Sequence, residues 1–137
     1  MLKLLLIDDD EELCAELSQV LKAEGFEVDT ALDGLQGLRL LQDKKYQIII
    51  LDLKLPGIDG YGVLKRIRKS VKPLKVLVLS GRPLGEPLLK ENGVSQVEEE
   101  KVLNMADLVI NKPFMVDNFI QKVKELASTI AENQFSK

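Results

Sequence analysis

The chain has 137 residues, a length that suits one domain, and 45% hydrophobic with 30% charged residues is a globular balance with apolar material for one core. Nineteen Lys and Arg against 22 Asp and Glu leave a net charge of −3, so the chain as a whole has no electrostatic pull on nucleic acid. The absence of histidine and the presence of one cysteine exclude a serine–histidine triad, a histidine-ligated zinc, a phosphohistidine carried by this chain and an internal disulfide.

The first apolar run, over 2–7, predicts a strand. It meets Asp8-Asp9-Asp10 at once, so it falls short of a signal-peptide core of roughly 7–15 residues. Nothing elsewhere approaches the ~20 apolar residues of a membrane span, and a cytoplasmic protein without membrane insertion is expected. Leu13, Leu17, Val20 and Leu21 then recur at helical spacing, ended by Gly25 as a C-terminal cap. Cys14, within that helix, reads as a small buried residue rather than a nucleophile. The second run, 26–30, contains Glu27-Val28-Asp29 and suits an edge strand. Leu35, Leu38 and Leu41 give a second helical stripe, the run 48–51 a third strand, and Val63, Leu64 and Ile67 a third stripe. Lys65, Arg66, Arg68 and Lys69 on that third helix read as a solvated face. Runs at 76–79 and 108–110 complete five strands, and Phe119, Ile120, Val123, Leu126, Ala127 and Ile130 mark a long last helix.

Three of the runs are continuous rather than alternating, as in strands buried on both faces. Strand alternating with helix implies an α/β domain: a doubly wound parallel sheet with helices on both faces. One interval breaks the rhythm. Between Ser80 and Asp107 the chain holds Pro83, Gly85, Pro87 and Gly93, then Ser95-Gln96-Val97-Glu98, a capping box that predicts a helix over about 96–104.

In an open parallel sheet a ligand sits beyond the carboxyl ends of the strands, where the strand order switches. Asp8 and Asp9 follow the first run, Asp52 the third and Ser80 the fourth, and Lys112 comes just after the fifth. Unit charges about 4 Å apart interact by roughly 4 kcal/mol at an effective dielectric near 20. Three crowded carboxylates therefore require a cation, or one of them takes a proton. Oxygen ligands alone suit a hard cation, and Mg²⁺ would keep open positions for phosphate oxygens. Such a site can hold a phosphoryl group on or beside a carboxylate; the alternative is a buried ion-pair network without chemistry. No Walker-type loop is present, and the glycines over 57–62 lack the dinucleotide spacing.

Over about 2–127 the chain resembles the receiver domain of two-component response regulators. Ile7-Asp8-Asp9-Asp10 resembles the family's acidic pair, and the stretch from Leu51-Asp52-Leu53-Lys54 through Pro56-Gly57 to Asp59-Gly60 resembles its phosphoacceptor strand and loop. Ser80-Gly81 is similar to the hydroxyl-plus-small-residue step, and Lys112-Pro113-Phe114 to the invariant lysine with its cis proline. The resemblance implies a flavodoxin-like sheet of strand order 2-1-3-4-5 and a single receiver domain over 1–137. It implies that Asp52 takes a phosphoryl group from a phosphohistidine on a sensor kinase or phosphotransfer protein. Asp8, Asp9, Asp52 and the Lys54 backbone carbonyl would serve Mg²⁺, and Ser80, Gly81 and Lys112 the phosphoryl oxygens. The domain would turn over no separate metabolite; it would act on a downstream protein, with no direct contact to nucleic acid.

Three departures or details sharpen the expectation. Val109 stands where the family's switching aromatic is expected, and the interval after Ser80 is longer than usual, so residues 81–95 are expected to serve as the output switch. Lys54 and Arg82 would flank the path of hydrolytic water and prolong the phosphoryl lifetime. Two other readings share the site: a pseudo-receiver that binds partners unphosphorylated, and an aspartate-nucleophile phosphatase. The second fits poorly, because Asp8-Asp9-Asp10 is not an Asp-x-Asp step followed by Thr or Val and the chain leaves no room for a cap domain.

Overall fold

The computed structural model describes residues 2–53, 60–69, 74–80 and 105–135. Five strands, β1 (Lys3–Ile7), β2 (Glu27–Ala31), β3 (Ile48–Asp52), β4 (Lys75–Ser80) and β5 (Leu108–Asn111), pair in parallel in the order β2-β1-β3-β4-β5. The described helices are α1 (Glu11–Ala23), α2 (Gly34–Asp43), α3 (Gly60–Lys69) and α4 (Val116–Phe135). This is the flavodoxin-like, doubly wound α/β fold expected from the sequence. The chain moves outward from β1 to β2, then returns to place β3 on the other side of β1. The switch in strand order therefore falls between β1 and β3, whose ends carry Asp8 and Asp52.

Strand geometry sorts the core into two layers, since successive side chains point to opposite faces. Leu4, Leu6, Ile48, Ile50, Leu77 and Leu79 pack with Leu17 and Leu21 of α1 and Phe119 and Val123 of α4. Leu5, Ile7, Ile49, Leu51, Val76 and Val78 pack with Val63, Leu64 and Ile67 of α3, joined by partly buried Leu38 and Leu41 of α2. Both faces are covered, which explains why the inner strands are apolar between their end residues. β2 is an edge strand, as its mixed composition suggested.

Local signals set the helix ends. Asp10 caps α1, its carboxylate accepting the Leu13 N–H at 3.1 Å. At the other end Gly25, at φ +97°, donates to Lys22 O at 3.0 Å while Phe26 N–H donates to Leu21 O at 3.2 Å, the paired bonds of a Schellman stop. The stripe on α2 differs from expectation. Leu35 is 52% exposed, and Gly34 and Gly37 face the sheet instead. The helix lies so close that a Cβ on Gly37 would stand 2.5 Å from Ile7 Cδ1.

Candidate functional site

Register brings the chemistry to one sheet edge. Ile7 lies opposite Leu51, so the next residues, Asp8 and Asp52, end adjacent strands side by side. The strands β3 and β4 run one residue beyond the predicted runs, which makes Asp52 and Ser80 the last residues of their strands. Asp8 N–H still donates to Ala31 O at 3.1 Å, and Leu53 N–H to Leu79 O at 3.1 Å, so the ladder holds the backbone of both carboxylates. Ser80 ends β4 opposite Asn111, one residue before Lys112; its side chain lies outside the described residues.

Asp8 and Asp52 are buried and Asp9 is exposed, and carboxylate oxygens of all three lie within 4.8 Å of one another. From the edge strand β5 the long Lys112 side chain passes β4 and reaches the pair. Its Nζ donates to Asp8 Oδ2 at 2.9 Å and Asp52 Oδ2 at 3.4 Å. Burial acts to lower the Lys112 pKa, but the hydrogen bond to Asp8 and the charges of Asp52 and Asp8 outweigh it and raise it above the ordinary lysine value. Among the described residues, three carboxylates thus cluster with one ammonium. Oxygen donors of this charge and spacing fit a hard divalent cation such as Mg²⁺ and offer nothing to a soft one. The Lys54 carbonyl, Gly81, Arg82, the segment 81–95 and the helix expected over 96–104 lie outside the described residues.

Supporting contacts were less legible. Asp10, third in the acidic run, is a helix cap, and its N–H donates to Asp8 Oδ1 at 3.0 Å. Cys14 donates its thiol to the Asp8 carbonyl at 3.3 Å. Burial first, then the charges of Asp8 and Asp10, pushes that thiol up to about 11, which keeps it a protonated donor, as a buried structural cysteine should be. The spacing of Asp10 three residues before Leu13 could have identified the cap; nothing in the sequence could have identified the thiol bond. Lys112-Pro113 is a cis peptide, and Phe114 stacks on Phe119 with centroids 5.3 Å apart. Val109 packs, partly buried, against the α2–α3 layer.

The basic run of α3 divides. Lys65, Arg66 and Lys69 are exposed, but Arg68 is not the solvated residue expected. Its Nε donates to Met105 O at 2.6 Å, Nη1 to Leu74 O at 2.9 Å and Nη2 to Asp107 Oδ2 at 2.9 Å. A helical charge run shows spacing but not which member reaches a neighbouring strand.

No described helix is long and apolar enough to cross a membrane. A family model described as response regulator receiver domain matches residues 4–124. The chain is 37% identical over 127 residues to the transcriptional regulatory protein CpxR homolog of Haemophilus influenzae, a match covering 92% of this chain and 50% of that protein. It is 33% identical over 126 residues to the transcriptional regulatory protein TctD of Salmonella typhimurium, covering 91% and 51%. The chain therefore spans about half the length of the curated relatives it matches. Among solved structures, the CheY-like receiver domain protein of Methanospirillum hungatei superposes with a TM-score of 0.81 at 26% identity, covering 96% of this chain and 98% of that one. The response regulator TrrA of Thermotoga maritima, solved in complex with Mg²⁺-BeF, gives 0.73 at 30% identity, covering 92% and 99%.

Proposed function

Since the chain belongs to the response regulator receiver domain family, we propose that its signalling reaction is carried by Asp52 as phosphoacceptor, with Lys112 and Ser80 holding the phosphoryl oxygens. The observation that supports this most is the carboxylate cluster at the strand ends: buried Asp8 and Asp52 and exposed Asp9 lie within 4.8 Å of one another, and the Lys112 ammonium reaches Asp8 and Asp52. Asp52 ends the third strand with its backbone fixed by the ladder, so its carboxylate is presented to an incoming donor without reorganisation. An Asp52 oxygen attacks the phosphorus of a phosphohistidine on a partner protein. The O–P bond forms as the N–P bond breaks, and the electron pair leaves with the imidazole nitrogen. Lys112, already charged and aimed at Asp52, donates to the phosphoryl oxygens as negative charge gathers there.

Asp8, Asp9 and Asp52 would hold Mg²⁺, with the Lys54 carbonyl as a further ligand. Bound there, the ion neutralises the carboxylates and offers coordination positions to the phosphoryl oxygens. The kinship of TrrA, solved with Mg²⁺-BeF, supports the same pairing of metal and phosphoryl group here. The phosphorylated domain changes conformation and acts on a downstream protein, and residues 81–95 carry the response in place of an aromatic at Val109.

Intact mass after incubation with acetyl phosphate and Mg²⁺ tests the proposal. One phosphoryl adduct, mapped to Asp52 and absent in Asp52→Asn, is expected. Turnover of acetyl phosphate without an adduct would point to a phosphatase. No adduct, with acetyl phosphate or with a phosphorylated histidine kinase, would point to a pseudo-receiver.

A further inference from the structure

β5 has four residues and, among the described residues, lies at the sheet edge and pairs with β4 alone. So short a ladder has few bonds of its own, and a slip of one residue would move the strand by about 3.3 Å and turn each side chain to the other face. Lys112 follows directly on this strand, so its reach to Asp8 and Asp52 depends on that register. The entering end of β5 is clamped from outside the ladder. Asp107 N–H donates to Val76 O at 2.8 Å, and its Oδ2 accepts from Val76 N–H at 2.7 Å and from Arg68 at 2.9 Å. Arg68 in turn binds the carbonyls of Met105 and Leu74, so one guanidinium ties α3 to the lead-in residues of both β4 and β5. A planar fork of donors can do this and a lysine cannot.

We propose that Arg68 and Asp107 are positioning residues for Lys112: they fix the register of β5 on β4 and thereby the placement of the Lys112 ammonium between Asp8 and Asp52. They stand at the opposite end of the strand, roughly 17 Å of extended chain before Lys112, away from Asp8, Asp9 and Asp52. The inference rests on the proposed role of Lys112 in holding the phosphoryl group.

The test compares Arg68→Ala, Arg68→Lys and Asp107→Asn with Lys112→Ala and with the double variant Arg68→Ala, Lys112→Ala. Rates of phosphorylation by acetyl phosphate, Mg²⁺ affinity, and hydrogen exchange of the amides of residues 108–111 in metal-free protein are read for each. Arg68→Ala is expected to slow phosphorylation about tenfold, within the up to 10²-fold that a 1 Å misplacement costs. Its Mg²⁺ affinity should be unchanged or tighter, because the ammonium no longer competes for the carboxylates. It should speed exchange across residues 108–111 and add nothing to the loss already caused by Lys112→Ala. Arg68→Lys should fall with Arg68→Ala, and Asp107→Asn, which retains an acceptor for Val76, should lie between it and the parent. Should Arg68→Ala not fold, Arg68→Lys and Asp107→Asn carry the same comparison. Equal losses with and without Lys112, or a lowered melting temperature with an unchanged rate, would overturn the inference. An unchanged rate in Lys112→Ala alone would instead remove the role of Lys112 on which it stands.

Discussion

Charged side chains gather at both ends of the same strands, and the two groups differ in how their charge is balanced. Away from the leaving ends of the strands, Asp107 and Asp29 are each met by several donors. Asp107 accepts from Arg68 and Val76 N–H with Lys75 3.9 Å away, and Asp29, in the middle of β2, accepts from Tyr46 at 2.6 Å with Lys44 at 3.4 Å and Lys3 at 4.0 Å. Where the strands leave, Asp8, Asp9 and Asp52 crowd within 4.8 Å, and among the described residues Lys112 is the cation that reaches Asp8 and Asp52. A satisfied cluster stabilises the fold and has nothing left to bind. An unbalanced one costs stability and retains affinity for a cation and for chemistry. Burial alone would not separate the two groups, since Tyr46 and Asp8 are both buried.

The sharpest way to break this contrast is Asp52→Asn. Phosphoryl incorporation should vanish, yet the fold should gain stability in Mg²⁺-free buffer. Carboxylates within 4.8 Å repel by about 1 kcal/mol even at the dielectric of water, so a melting temperature about 3 °C higher is expected by calorimetry. A lower melting temperature would mean that charge imbalance is not what sets this end apart. Asp107→Ala should have the opposite sign. It leaves Val76 N–H and Arg68 without their acceptor, at a cost of about 2 kcal/mol read as a lower urea midpoint with an unchanged slope.

Tyr46→Phe should cost somewhat less, about 1.5 kcal/mol at pH 7, because one hydrogen bond to a charged group is lost. Its pH dependence follows from the shifts. The Tyr46 hydrogen bond first, against the opposing effect of burial, and then Lys44 hold Asp29 below its ordinary value, while burial and Asp29 push Tyr46 above its own. The stabilisation from Asp29 is therefore present above pH of about 4 and fades as pH falls through the lower folded value; that from the neutral Tyr46 is lost only as pH rises above about 10. Urea midpoints of parent and variant should converge toward pH 3; a constant gap would show that the bond does not depend on the Asp29 charge. Smallest of all, Arg66→Ala should change stability by less than about 0.5 kcal/mol, as an exposed site without a partner among the described residues does. An effect matching that of Arg68→Ala would show that the division of the basic run is wrong.

Periodicity and composition made the strands, their order of appearance and the strand-end aspartates legible in the sequence itself. Continuous runs such as Ile48–Leu51 can be buried on both faces in few ways, and polar residues that interrupt such runs collect at one edge. Asp8, Asp9, Asp52 and Lys112 were thereby placed together, as the structure has them. Glycine at 25 was readable for the same local reason, because a positive φ and a helix stop are properties of a few adjacent residues. Only tertiary packing decided the rest. The face that α2 turns to Ile7, with Gly34 and Gly37 buried, left Leu35 to water, and the placement of α3 beside the entering ends of β4 and β5 singled out Arg68 from three neighbouring cations. Such outcomes depend on distances between elements far apart in the chain, and a one-dimensional pattern of polarity contains the faces of each element but not the separation or rotation at which two elements meet.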